Sequence, residues 1–562
     1  MTRWIAARKK YFTLAVVLTL AALGGIVVGF KIADSDYFFK INKSIDIFGR
    51  VYKEVAVNYV DEIDPEKFME SGIDGMLGTL DPYTNFINET EGDEVELLTS
   101  GKYGGIGVTI GVREGYITIL SLMEGYSAQR QGVQPGDRLL EIDGKSVVGS
   151  KPENVRSLTR GEPGTELHLK IERDDEPKPL EFVLVREEIQ LKNISYADFV
   201  GDGIAYVRLE RFSRSAGDEL RLAIKDMKLK DSIKSIILDI RDNPGGLLDA
   251  AVDIVEKFVP KNSLIVSTHG RKPESEKKYY AAEEPMLPNT PLIVLVNRNS
   301  ASASEIVAGA IQDLDRGVIL GTRTFGKGLV QTITPLVYNT QLKITTAKYY
   351  TPSGRCIQEI DYLHKNKDGV FAITPDSLRR EFKTLKGRPV FELGGVHPDT
   401  AVEDSERSTL YKELLRKSMY FKFATKFLSL YKELPSPFPP GDELLKEFQQ
   451  FLDEQKFTYQ DEGEVKLKEF KDLADSKHYS ATVQREIEEL RNEITKDKSN
   501  SLERNKPEII RMLKSEIMSR YKGEVGRIEA SLAGDVQLTA AKNLLSDSKE
   551  YARRLTSKET FR

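Results

Sequence analysis

Between about residues 190 and 400 the chain alternates short, continuous apolar runs with amphipathic stretches. The runs "GIAYVRLE", "IKSIILDI" and "PLIVLV" are too short for helices and rich in β-branched residues, so they predict buried strands. Between and after them, "SAGDELRLAIKDMKL", "LLDAAVDIVEKFV" and "SEIVAGAIQDL" place apolar residues at helical spacing, the first opened by a Ser cap. This rhythm predicts βαβ units around a partly parallel sheet. Sites in such sheets lie at the carboxyl ends of strands, where the loops "RDNPGG" and "NRNSASAS" fall.

The flanking regions read differently. Residues 36–98 predict a helical N-terminal region, with Ile45, Phe48, Val51, Val55 and Tyr59, then Phe68, Ile73, Met76 and Leu80, at helical spacings and a turn at "LDPYTNFI". Residues 99–178 switch to short strands punctuated by "EG", "QPGD" and "DGK", with one helix, "ENVRSLTRG", before the strand "ELHLKIER". Residues 190–400 form the α/β region, and 405–562 turn charged and helical. There Leu410, Leu414, Phe421, Ala424 and Leu428 share one stripe, a break follows at "LPSPFPPGDE", and Val483, Ile487, Leu490 and Ile494 mark a later segment. That last region reads as an accessory helical domain without chemistry of its own. The whole is a multidomain α/β chain with helical ends.

One segment is uniformly apolar. Tyr11 to Phe30 carries no charge and follows Arg3, Arg8, Lys9 and Lys10 in the flank 1–10. Twenty such residues match a bilayer core of about 30 Å. The basic flank keeps the N-terminus cytoplasmic and exports the rest, so 11–30 predicts a single transmembrane signal anchor. A cleaved signal peptide is the competing reading, weakened by the lack of an A-x-A site at the end of the run.

Composition narrows the classes. At 562 residues, three or four domains are expected. With 82 basic and 87 acidic side chains, a net charge of -5, no nucleic-acid partner is indicated. The single cysteine, Cys356, excludes an intramolecular disulfide framework. Five histidines stand apart (His168, His269, His364, His397, His478), and no HExxH or CxxC spacing points to a metal or other cofactor.

Candidate chemistry gathers in "NRNSASASE". Ser302 would sit at the first turn of the helix carrying Ile306, Val307 and Ala310, facing the positive end of its dipole among free N–H groups. An ordinary N-cap serine is the alternative. Ser304 would point about 200° further round, which suits a structural bond, and Ser300 stays in the loop. Gly245 and Gly246 end the neighbouring strand and could bring a second N–H to an oxyanion. A base for Ser302 could be a histidine placed in space, His269 or His397, since triads are geometric. Lys327 is the more economical one. It stands between Gly326 and Gly328 in a strand-like apolar stretch, where Phe325, Leu329 and Val330 would desolvate its amine and Gln331 could orient it without charge.

"NSASASEIVAGAIQD" followed by "GTRTFGKGLVQ" resembles the signature of the carboxy-terminal processing, or tail-specific, serine peptidases. The resemblance implies Ser302 as nucleophile, Lys327 as base, Gln331 as its orienting partner and an acyl-enzyme. The oxyanion hole would comprise Ala303 N–H and that of Gly245 or Gly246, with no metal or cofactor. "LDPYTNFI" is similar to the family's "LDPHS-x-Y" turn, with Tyr83 in place of histidine. "GGIGVTI", "GVQPGDRLLEIDGKSV" and "RGEPGT" are similar to its PDZ domain, and "YYTPSGRCIQ" and "GGVHPD" to its closing strands. The resemblance covers roughly residues 40–400 and implies a PDZ domain inserted before a crotonase/ClpP-like α/β peptidase domain. A protein C-terminus would add beside Gly105-Ile106-Gly107-Val108, opposite a helix from Asn154 to Leu158. Arg160, just after that helix, could relay occupancy. The expected protein is a periplasmic endopeptidase on the bacterial inner membrane, binding protein tails, with its helical regions available for homo-oligomers. A membrane-tethered, non-catalytic PDZ scaffold is the alternative.

Overall fold

The structure, a computed structural model, describes residues 36–89, 92–174, 176–365, 371–373, 379–404 and 407–556. The uncharged segment 11–30 lies outside them. Among the described residues no helix is long and apolar enough to cross a membrane. The chain forms two units, Met1–Phe86 and Ile87–Arg562.

In the first unit a helix over 36–58 is followed by the helix Pro65–Leu77, capped by the Asp64 carboxylate, which accepts from the amides of Glu66 and Lys67. Tyr52 stacks on Phe68 with ring centroids 5.5 Å apart. The rest of the apolar spacing stays open, with Ile45, Val51 and Tyr59 each more than half exposed.

The second unit is organised by a six-stranded sheet. Its order is Ile194–Gly201, Ile204–Leu209, Ser235–Asp239, Leu292–Val296, Val318–Gly321 and Thr400–Ala401. The first pairing is antiparallel and the next four are parallel. Inner parallel strands are buried on both faces, which is why they read as unbroken apolar runs. Val207, Leu238 and Val294 pack on the helices Ala216–Lys230, Leu248–Glu256 and Ala303–Asp313. Tyr206, Ile237, Ile293 and Leu295 face the other way, against Leu538, Ala541 and Tyr551 of the helices Val536–Ser546 and Ser548–Arg554. The last helices of the chain, expected to be accessory, therefore close the second face of the central core.

Two local expectations change. Ser215 precedes the helix Ala216–Lys230 but does not cap it, because its hydroxyl donates to Glu219 Oε1 at 2.9 Å and accepts from Asn193 Nδ2 at 3.0 Å. The stripe beginning at Leu410 is broken into Thr409–Arg416 and Met419–Leu430 by Ser418, whose φ is 58°. The break resets the helical phase, so Phe423 and Phe427 are buried with Ala424 in place of Phe421 and Leu428.

Two further β structures flank the central sheet. Val108–Arg113, Tyr116–Leu122, Arg138–Ile142, Glu166–Glu172 and Leu180–Val185 form an antiparallel sheet, closed over Ile119, Leu139 and Leu167 by Val155 of the helix Pro152–Thr159. The pair Lys102–Gly105 and Glu187–Gln190 forms its stem. Leu329–Pro335 pairs with Gln341–Tyr350, which in turn pairs with Leu264–Gly270.

Tyr551 fastens the closing helices, accepting from Leu292 N at 2.9 Å and donating to Leu292 O at 3.0 Å, both buried. Tyr551→Phe leaves the Leu292 amide without an acceptor, a loss of about 1–3 kcal/mol. A lower urea midpoint by far-UV circular dichroism is the expected outcome.

Candidate active site

Ser302 stands where the loop after Leu292–Val296 becomes the helix Ala303–Asp313, whose eleven residues are all buried. Its backbone is in the sparsely populated positive-φ half, at φ 56° and ψ -113°. Such a residue costs roughly 1–3 kcal/mol and persists only where its surroundings fix it. Here the fixing bonds are explicit. Ser302 N donates to Glu305 Oε2 at 2.9 Å, and Ser302 O accepts from Glu305 N at 2.8 Å, Ile306 N at 3.0 Å and Tyr349 Oη at 3.2 Å. The neighbouring serines are structural: Ser300 Oγ donates to Ile240 O at 2.8 Å and Ser304 Oγ to Asn243 O at 2.9 Å.

Beside Ser302 runs the loop after Ser235–Asp239, shaped by the buried Asn243. Its Nδ2 donates to Leu209 O at 2.7 Å and its Oδ1 accepts from Gly245 N at 2.9 Å. Gly245 O accepts from Phe212 N at 3.3 Å, and Phe212 O from Leu247 N at 2.8 Å, so Gly246 turns its own N–H away from Phe212. The N–H groups of Gly246 and Ala303 make no hydrogen bond among the described residues. Gly245 provides the close approach instead. At φ 102°, a Cβ there would lie 2.7 Å from Ala301 O and 2.9 Å from both Ala303 N and Ser302 Cβ.

Lys327 lies in the irregular segment 322–328, just before Leu329–Pro335 rather than within a strand. It is half-buried. Leu329 is buried beside it, but Phe325 is 42% exposed and gives less shielding than expected. Gly328 permits close packing on Gln358, whose Oε1 accepts Gly328 N at 2.7 Å. Gln331 follows a bulge between Val330 and Gln331, and its Nε2 donates to Thr345 Oγ1 at 3.1 Å. His269 is engaged elsewhere, its ring against Tyr350 at 4.4 Å, and His397 Nε2 is 3.2 Å from Arg379 Nη1.

One residue not singled out in the sequence ties these loops together. Glu305 has no exposed surface. Its Oε2 accepts from Ser302 N and Lys327 N, each at 2.9 Å, and its Oε1 from Thr324 Oγ1 at 2.6 Å and Gly326 N at 2.7 Å. Burial pushes its carboxyl from an ordinary 4.5 up to about 7, with the four donors holding it down against that. The signal was present in Ser302-x-x-Glu305, the spacing of a capping box.

A second unsuspected element braces the glycine loop from behind. Arg241 donates to the fully buried Asp239 through Nε and Nη2, and to Asp535 Oδ2 at 2.8 Å and Gln537 Oε1 at 3.0 Å. Burial works to raise the Asp239 carboxyl, but Arg241 outweighs it and holds the group below its usual range.

The β domain carries a groove of about 240 Å³, lined on one side by Gly105, Ile106, Gly107 and Val108. On the helix it is lined by Arg156 and Thr159 rather than Asn154 and Leu158. Val155 fills the domain core, which leaves Asn154 exposed and turns Leu158 onto that core.

A serine at a helix start with spare N–H groups beside it thus shares the chain with a groove-bearing β domain, and the family comparisons make that chain a serine-type peptidase with a PDZ domain. Family profiles agree: "Peptidase family S41" matches residues 203–376, "PDZ domain" 118–173, and "Probable PDZ-protease, C-terminal helical domain" 410–545. A carboxy-terminal-processing protease of Bartonella bacilliformis is 40% identical over 321 residues, 57% of this chain and 73% of that protein. The carboxy-terminal processing protease CtpB of Bacillus subtilis is 30% identical over 321 residues, 57% of this chain and 66% of that one. Among solved structures, the photosystem II D1 C-terminal processing protease is 24% identical with a TM-score of 0.35, covering 63% of this chain and 92% of that one. The chain belongs to the carboxy-terminal processing protease family.

Gly245→Ala forces a Cβ against Ser302 and Ala303 at a strained φ. Peptidase kcat is expected to fall at least about tenfold, the equivalent of 1.4 kcal/mol, with the circular dichroism spectrum unchanged. Glu305→Gln replaces two acceptor sites by donors facing donors, and a loss of about 10- to 100-fold in kcat is expected at roughly 1–3 kcal/mol per unsatisfied group. Because the four donors call for the anion, wild-type kcat should rise as pH passes through about 7. Stability runs the other way for this group. Its raised folded pKa contributes stability that is fully present below about 4.5 and lost as pH rises through about 7. Thermal melts across that window, compared with Glu305→Gln, read the sign.

Proposed function

We propose that the chain is a membrane-anchored periplasmic endopeptidase that grips protein C-terminal tails in its PDZ groove and cleaves with a Ser302–Lys327 dyad. The observation carrying this reading is the Glu305 carboxylate, which holds the amides of Ser302 and Lys327 on one oxygen. Lys327, as the neutral amine, takes the Ser302 hydroxyl proton while Oγ attacks the scissile carbonyl. The developing oxyanion is received by the spare N–H groups of Ala303 and Gly246. The Lys327 ammonium then protonates the departing amine, and water, deprotonated by the same lysine, releases the acyl group. Gln331 orients the amine without adding a charge that would raise its pKa.

The anchor in this reading is Tyr11 to Phe30 behind its basic flank, and the exposed apolar residues of the helix over 36–58 are the surface for self-association. Ser302→Ala and Lys327→Ala should each abolish cleavage of a protein with an exposed C-terminal tail while still binding that tail. Residual cleavage in either variant, followed by mass spectrometry of the products, excludes the dyad.

A further inference from the structure

The PDZ groove holds more positive charge than one terminal carboxylate requires. Three arginines line it. Arg156 and Arg160 come from the end of the helix Pro152–Thr159, and Arg211 comes from the central domain, just after Ile204–Leu209. Among the described residues no aspartate or glutamate lines the cavity, and none of the three guanidinium groups has an ion pair or hydrogen bond. Elsewhere in the β domain arginines are partnered: Arg130 with Glu187 at 2.9 Å and Arg173 with Asp137 at 2.7 Å.

The guanidinium groups differ in setting: Arg156 is exposed to solvent, and Arg211 is half-buried, with the Glu210 and Glu219 carboxylates acting on it from beyond ion-pair distance. Arg211 Nε is buried without a hydrogen-bond partner, and Arg160 lies over the Tyr103 ring at 5.1 Å. Ile106, Val108, Met123 and Leu191 add apolar walls. Apolar walls strengthen any charge–charge attraction across the cavity and make an unpaired guanidinium costly. A terminal carboxylate received by the amides of Ile106 and Gly107 would neutralise one cation and leave two. Guanidinium groups suit carboxylates in paired, bidentate geometry.

We infer that the groove selects acidic tails: peptides with a carboxylate side chain close to the C-terminus, contacted by Arg156 and by Arg211 reaching across from the central domain. This rests on the tail-binding reading of the groove. It names the substrate class, and it makes the groove a site built from two domains.

The test uses the full chain bearing Ser302→Ala, so that tails are bound but not cut, and fluorescence anisotropy with labelled peptides. One peptide has two glutamates before its last residue, and its twin has glutamines there. A third is the acidic peptide with an amidated C-terminus. The acidic tail is expected to bind at least about tenfold tighter than its twin. The advantage should shrink as ionic strength rises from about 0.01 M to 0.15 M. In the background of Arg156→Gln with Arg211→Gln it should collapse to near equality, while the glutamine twin binds as before, which also shows that the variant groove is intact. Equal binding of the two tails to the unaltered groove overturns the acidic preference and leaves tail recognition standing. Failure of both free-acid tails to bind, or equal binding of the amidated peptide, overturns tail recognition and this inference with it.

Discussion

A single buried carboxylate sets the geometry on which the rest of the active site depends. Isolating an ion from water costs several kcal/mol unless its oxygens are satisfied, and Glu305 is satisfied by four donors from two stretches of chain, 302 and 324–327. Each donor is placed by the carboxylate as much as the carboxylate is stabilised by the donor. The positive φ of Ser302 survives because its N–H has this one partner within reach. The loop before Leu329–Pro335 can remain irregular because the amides of Gly326 and Lys327 are paired with a side chain instead of a strand. The raised carboxyl pKa records what remains of the burial cost. The anion that the four donors call for is also the form that folding favours less, so local order around Ser302 and Lys327 is obtained at some expense of stability.

The helical C-terminal region belongs to the same architecture. Asp535 and Gln537 meet Arg241 at the root of the glycine loop, and Tyr551 pairs with Leu292 at the start of the strand that leads to Ser302. The region also reaches the PDZ domain, where Lys422 pairs with Glu114 and the Arg113 guanidinium lies 5.9 Å from the Phe421 ring centre. A segment that lacks chemistry of its own thus touches both the sheet that positions Ser302 and the PDZ domain.

Which features were legible in the sequence follows from the range of the interactions. The central strands could be read because burial on both faces leaves an unbroken apolar run, and Ser302 and Lys327 stood out through a helix start and flanking glycines. The stripe from Leu410 misled because nothing local marks Ser418 as left-handed. The PDZ helix misled because its phase is fixed by Val155 entering the core, a tertiary fact. Glu305 lay in plain view as half of a capping box, but its other donors lie about twenty residues on. The partnership of Arg241 with Asp535 spans 294 positions, and no periodicity reports it.

Gly245 and Gly246, equivalent in the sequence, are set apart by Asn243. Asn243 Oδ1 occupies the Gly245 N–H, so the spare donor is that of Gly246. The same glycine turn is held on its other side by Phe212, through its N–H to Gly245 O and its carbonyl from Leu247 N. Phe212 directly follows Arg211, which lines the PDZ groove. A residue lining the PDZ groove and the residue that holds the glycine turn are therefore neighbours in the chain.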